Sequence, residues 1–369
     1  MSAGATLSDE QRIAWLRLIR TETIGPVTFR ALLNHFGSAS AALAAAPDLA
    51  RRGGRPIRLT TVEDAERELA AAAAIQARFI AVGEPDYPAW LRAVDGAPPL
   101  LCVRGNAGCL TRPSVAVVGS RNASIAGRKF AMQIAAGLAD CGFVVVSGLA
   151  RGIDAAAHTA ALDTGTVAVF AGGLDRPYPP DNLELADAIV AKAGAHVSEM
   201  PMGHVPRGKD FPRRNRIISG MSVAVVVVEA AVRSGSLITA RLAAEQGRLV
   251  FAVPGSPLDP RAGGTNQLIR DGATIVTALD DIVAEVMPML ERPAPPPAAK
   301  ERERDGAASE ADDSDRARII EAMGATPVEI DEIIRFTRLT PAVVRLVLIE
   351  LDLAGRIEHH PGGRVSLVG

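Results

Sequence analysis

Aromatic residues make up only 4% of this 369-residue chain: two tryptophans, two tyrosines and nine phenylalanines. A ring placed among charges is therefore worth notice. The three cysteines (Cys102, Cys109, Cys141) are isolated and odd in number, with no Cys-x-x-Cys spacing. That excludes a disulfide framework and a zinc cluster, and fits a reducing compartment. No apolar run reaches the about 18 residues that a membrane helix needs, and residues 1–10 carry no apolar signal core. A soluble, cytoplasmic protein with no membrane insertion is expected. Forty cations face 42 carboxylates, for a net charge of −2. With no overall excess of positive charge, attraction to a polyanion has to come from a local patch.

Such a patch exists. Residues 203–220 hold Arg207, Lys209, Arg213, Arg214 and Arg216 against the single Asp210, a local charge of +4. Phe211 sits in the middle. Cations alternating with an exposed ring suit a phosphate backbone that carries flat bases. An arginine-rich helix start tied into ion pairs with carboxylates elsewhere is the competing reading.

Composition divides the chain into four parts: a helical N-terminal domain (residues 1–77), an α/β domain (78–290), a linker (291–315) and a C-terminal domain (316–369). In the first, Ser8 and Gln11 form a capping box ahead of apolar residues at helical spacing. Residues 23–33 resemble a helix–hairpin–helix turn, with Thr23 where that motif usually has its first glycine. We read it as a packing turn. The second part alternates helical stretches with β-branched runs at 115–118, 143–146, 166–170, 196–198, 223–228, 249–253 and 274–276. Continuous apolar strands of this kind predict an extended Rossmann-like, doubly wound and mostly parallel sheet, with its ligand at the carboxyl ends of the strands. The linker, with four prolines and a charge of −4, is expected to be disordered. The last part reads as three helices and a hairpin, a winged-helix pattern. Its seven arginines balance seven acids, so it lacks the basic footprint of a sequence reader and is expected to contact a partner or act as a spacer.

At the strand ends, Gly119-Ser120-Arg121 precedes a helix that begins near Ser124. A tight turn, an open helix amino terminus and a guanidinium outline a phosphate site. The signatures of catalysis are missing. There is no Gly-x-Gly-x-x-Gly, no Gly-x-x-x-x-Gly-Lys-Ser/Thr, no Gly-x-Ser-x-Gly and no His-Glu-x-x-His. The six histidines are scattered and read as satisfied surface residues. Asp154, Asp175, Glu199 and Glu229 read as helix caps or as partners of the arginines rather than as metal ligands. Catalytic residues, cofactors and metals are all expected to be absent.

Several motifs in register carry a resemblance: Gly119-Ser-Arg-Asn-Ala-Ser124, Ser147-Gly-Leu-Ala-Arg-Gly-Ile-Asp154, Tyr178-Pro-x-x-Asn182, Ser198-Glu-Met-Pro201, Phe211-Pro-x-Arg-Asn-Arg-Ile-Ile218, Ser234-Gly-Ser-Leu-Ile-Thr-Ala240 and Val253-Pro-Gly255. Together they resemble the DNA-processing protein A (DprA/Smf) family, whose longer members have flanking SAM or helix–hairpin–helix-like and winged-helix domains. The resemblance implies a protein that binds and protects single-stranded DNA in natural transformation and competence, and loads RecA recombinase onto it in DNA recombination. It also implies a homodimer formed late in the central domain, around Leu268 and Ile269. DNA contacts are expected at Gly119, Ser120, Arg121, Ser124, Lys209, Phe211, Arg213, Arg214, Asn215 and Arg216. A nucleotide-binding enzyme of the lysine-decarboxylase-like Rossmann superfamily is the alternative. That group carries Pro-Gly-Gly-x-Gly-Thr where this chain has Ser234-Gly-Ser-Leu-Ile-Thr.

Overall fold

The computed structural model describes residues 6–291, 311–360 and 362–368. Most of the expected linker lies outside them. Four helices come first: α1 (Asp9–Arg20), α2 (Pro26–Phe36), α3 (Ala39–Arg52) and α4 (Val62–Ala74). The central region follows as β1 (Ala77–Ala81), α5 (Ala89–Arg92), β2 (Leu100–Gly105), β3 (Ser114–Val118), α6 (Ile125–Asp140), β4 (Val144–Ser147), α7 (Ile153–Ala160), β5 (Thr166–Val169), α8 (Leu183–Ala191) and β6 (Ala195–Ser198). It continues with α9 (Asp210–Met221), β7 (Ala224–Val227), α10 (Gly235–Glu245), β8 (Leu249–Ala252), α11 (Gly263–Arg270), β9 (Thr274–Ile275) and α12 (Leu279–Leu290). The chain ends with α13 (Asp313–Glu321), β10 (Val328–Glu329), α14 (Ile330–Thr337), α15 (Pro341–Leu353), β11 (Ile357–His360) and β12 (Arg364–Leu367). The chain divides into two compact units, one of residues 1–6 and 68–298, the other of residues 7–67 and 299–369.

The first unit is built on a nine-stranded sheet of order β1-β2-β6-β5-β4-β3-β7-β8-β9. From β6 to β9 every neighbouring pair is parallel. All seven β-branched runs of the sequence are these seven strands. The antiparallel pair β1–β2 extends one edge, and periodicity did not reveal it. Alternate residues of the inner strands serve two cores. Val115, Val117 and Val145 meet α6, α7 and α12 on one face, while Ala116, Val118, Val144 and Val146 meet α9 and α10 on the other. The chain runs outward from β3 to β6 and then returns to β7, so the winding direction reverses between β3 and β7. Their carboxyl ends form the crevice where such sheets hold ligands.

In the second unit the N-terminal helices and the winged helix share side chains. The Ser8 capping box on α1 forms as expected. The winged helix has the order α13-β10-α14-α15-β11-β12, with a three-stranded sheet β10-β12-β11. One face of α15 (Val344, Val347, Leu348, Leu351) fills the winged-helix core, and another (Leu346, Ile349, Leu353) fills the core of α1–α3. The helix that reads bases in winged-helix DNA binders is here buried on two sides.

Candidate nucleic-acid interface

The crevice is assembled from four loops. Gly119 follows β3 at a point where a Cβ would lie 2.7 Å from Ile153 Cγ1 and 3.0 Å from Glu229 O. The backbone there is wedged between the start of α7 and the end of β7. Ser120 O accepts from Ile153 N at 3.2 Å, and Ser120 Oγ accepts from Asn122 N at 3.2 Å. The facing loop passes within van der Waals contact at Gly152, whose φ of 80° and 2.3 Å Cβ clearance from Ser120 O admit only glycine. This turn delivers Arg121 to the surface.

The start of α9 is fixed by Asp210, which is buried and accepts from Arg207 N at 2.8 Å while pairing with His204 Nε2 at 2.8 Å. Burial alone would raise the Asp210 carboxyl, but these hydrogen bonds and the nearby Lys209 outweigh it and the net displacement is downward. Phe211 follows, half-buried, with Tyr178 edge-on at 5.8 Å between ring centres. The Arg121 guanidinium lies 5.1 Å from the Phe211 ring centre and that of Arg214 lies 5.9 Å from it. Both are within cation–π range.

The basic run separates into two groups. Glu199, at the end of β6, accepts from Arg213 Nε at 3.0 Å and also pairs with Arg216, which reaches Gly96 O as well. Arg214 is buried, and one of its terminal nitrogens donates to Gly148 O and Val169 O, both at 2.6 Å. A Cβ on Gly148 would sit 2.2 Å from that nitrogen, so residue 148 must be glycine to admit the guanidinium. Burial pulls Arg214 down to about 10 and pushes the Asp154 carboxyl up, and the attraction between the two opposes both shifts. Asp154 itself accepts from Gly148 N at 3.1 Å and Ala150 N at 3.3 Å. Asn215 donates to Gly235 O at 3.3 Å. Arg213, Arg214, Asn215 and Arg216 are thus committed to protein partners and hold α9 against the sheet ends. Arg207, Lys209 and Arg121 are exposed, and no ion pair forms at them among the described residues.

The open amino terminus expected at α6 is filled. The Glu229 carboxylate accepts from Ser124 N at 2.9 Å and from Ser124 Oγ at 2.5 Å, and Ser124 Oγ accepts from Gly127 N at 2.8 Å. A protein carboxylate occupies the position where a phosphate was anticipated, because the positive end of a helix favours any anion. Two histidines also depart from expectation. His158 and His196 are buried rather than on the surface, and burial lowers them to about 3 and about 4. Leu268 and Ile269 on α11 are both half-buried, and Leu268 packs against the edge of the sheet core.

Sequence reasoning missed part of the crevice. A cleft of about 640 Å³ adjoins Arg121 and is lined by Arg128, Arg151, Asn182 and Thr159. Arg151 stands in the Ser147–Asp154 motif and so carried a signal. Arg128 is an unremarkable helix cation until α6 is packed on α7.

A Rossmann-like sheet with a helical and a winged-helix extension, and with a cation–ring pair at its switch point, defines a class of nucleic-acid-handling architecture. The comparisons agree with that class. Residues 78–287 match the DNA recombination-mediator protein A family, residues 9–71 the DprA-like N-terminal HHH domain, and residues 291–363 the DprA winged helix domain. The chain belongs to the DNA-processing protein A (DprA/Smf) family. It is 40% identical to Protein Smf of Escherichia coli over 288 residues, covering 76% of this chain and 75% of that one. It is 48% identical to the DNA processing protein DprA of Streptococcus pneumoniae over 201 residues, 54% of this chain and 71% of that one. Among solved structures, the pneumococcal DprA superposes with a TM-score of 0.63 at 36% identity, covering 76% of this chain and 99% of that one. The Helicobacter pylori DNA processing protein A, described for its single-stranded DNA binding mode, gives 0.53 at 28% identity, covering 58% and 97%.

Proposed function

We propose that this protein binds single-stranded DNA across the carboxyl ends of β3, β4 and β5 and the start of α9. The observation that carries this reading is the pair of an exposed Arg121 over the half-buried Phe211 ring, flanked by Arg207 and Lys209 with no ion-pair partner among the described residues. On binding, a base takes the ring face that Arg121 covers and Arg121 turns to the adjacent phosphate. Lys209 and Arg207 neutralise the next ones. Contacts of this kind read no base edges, so binding is strong for single strands and nearly indifferent to sequence. Gly119, Ser120 and Ser124 shape the turn, while Arg213, Arg214, Asn215 and Arg216 position α9.

The same reading has RecA loaded onto the bound strand during natural transformation, and makes the protein a cytoplasmic homodimer joined near Leu268 and Ile269 on α11. No bond is made or broken. A gel shift with matched single-stranded and duplex oligonucleotides, run beside an assay of nucleotide hydrolysis, tests it. Preferential retention of the single strand without hydrolysis supports the reading. Equal retention of duplex, or steady hydrolysis, contradicts it.

A further inference from the structure

The cleft beside Arg121 is not needed for a strand lying only across Phe211 and Lys209, yet it is built for a polyanion. Arg121, Arg128 and Arg151 converge on it from three elements: the β3 turn, α6 and the loop before α7. All three are exposed, and no ion pair forms at any of them among the described residues. Three like charges around one concavity repel one another unless an anion enters. The lining is also partly apolar, through Met132 (41% exposed), Ala155 and Ala156, with Asn122 and Thr159 beside them. Cations and apolar side chains around one concavity match a nucleotide, which offers a phosphate to the first and a base to the second. The volume of about 640 Å³ falls within the about 300–1,000 Å³ of small-molecule sites.

Arg121 belongs to both places, since its guanidinium rests on Phe211 and its side chain lines the cleft. The two loops that present Arg121 and Arg151 are locked together by the Ile153 N–Ser120 O hydrogen bond at 3.2 Å and the close approach at Gly152. The backbones that carry Arg121 and Arg151 are therefore held at a fixed spacing on the two sides of the cleft.

We propose that the cleft is a second nucleotide subsite of the same strand, with Arg128 and Arg151 as further phosphate contacts. This rests on the single-strand reading above. A strand leaving the Phe211 ring crosses Arg121 and enters the cleft, which lengthens the footprint by at least one nucleotide.

The test is fluorescence anisotropy of labelled oligo-dT of graded length with the full chain, comparing wild type, Arg128→Ala/Arg151→Ala and Arg128→Lys/Arg151→Lys. Both positions are exposed, so melting is expected to be unchanged. The alanine pair should weaken binding of a 20-mer about tenfold or more and lower the salt slope by about 1.4, two phosphates at about 0.7 each for single strands. The loss should shrink as the oligonucleotide is shortened to span only the ring, and the lysine pair should recover most of the slope. A wild type that binds the 20-mer while the alanine pair matches it in affinity and slope overturns the subsite alone. A wild type that binds no oligonucleotide overturns the single-strand reading and the subsite together. A free-nucleotide arm uses thymidine 5′-diphosphate. Sub-millimolar binding that the alanine pair abolishes, with the 20-mer unaffected, assigns the cleft to free nucleotide and contradicts the proposal.

Discussion

Thr23 Oγ1, in the turn between α1 and α2, donates to the carbonyl oxygen of Leu353 at the end of α15 at 3.0 Å. Thr23 does so from a backbone φ of 74°, a region where a β-branched residue is strained by about 1–2 kcal/mol. Glycine usually stands at this position in a helix–hairpin–helix turn, and the structure shows what threonine adds: a bond to the winged helix. Thr28 Oγ1 to Asp352 at 2.6 Å and Arg356 to Gly53 O at 3.2 Å fasten the same two segments. Thr23→Val keeps the strain and removes the bond, and should cost about 1–2 kcal/mol in chemical denaturation. Thr23→Gly removes both and should be nearly neutral. No loss in Thr23→Val would mean that the hydrogen bond contributes little, and equal losses in the two variants would mean that the backbone strain does.

Removal of the winged helix uncovers the face of α1–α3 that Leu346, Ile349 and Leu353 fill. At about 1.5–3 kcal/mol for each buried side chain, the contact between the two segments loses about 5–9 kcal/mol. A chain ending before α13 should be cleaved by protease within residues 9–52 and bind a hydrophobic dye. Its single-strand affinity should stay close to wild type, since Arg121, Lys209 and Phe211 belong to the other unit. Protease resistance equal to the full chain would show that the shared core is dispensable.

His158 and His196 are buried in the central unit with values of about 3 and about 4. An unfolded histidine takes its proton near pH 6.5. Above that pH neither state is protonated and the stability is full. Below it the unfolded chain gains protons that the folded chain refuses, so stability falls from about pH 6.5 down to about pH 4 and pH 3. At pH 5 the loss is about 2 kcal/mol for each histidine. The denaturation midpoint should therefore drop between pH 7 and pH 5, and less so in His158→Asn. A flat profile over that range would contradict the buried, neutral assignment.

Most of the fold was legible because central parallel strands are covered on both faces and read as unbroken β-branched runs. The short β1, with Arg78 as its second residue, and β2, ending in Arg104-Gly105, lack that signature, and their pairing is fixed only by the sheet edge they extend. The site was half legible. Charge density marked residues 203–220, but the sorting of its cations depends on Glu199, 14 and 17 residues from its two partners in sequence, and on the space that Gly148 leaves for Arg214. Glu229 reaches Ser124 across 105 residues. Nothing local announces such a contact. The burial of α15 against α1–α3 is likewise a property of two segments that the whole central domain separates.

The most direct measurement is the salt dependence of single-strand affinity in Lys209→Ala and Phe211→Ala beside the wild type. Lys209→Ala should lower the slope of log K against log salt by about 0.7 and weaken all sequences alike. Phe211→Ala should cost about 1–3 kcal/mol while leaving the slope unchanged and the protein folded. If Phe211→Ala shifts the slope as Lys209→Ala does, or neither variant departs from wild type, then the strand does not lie across this ring and the account of the interface is wrong.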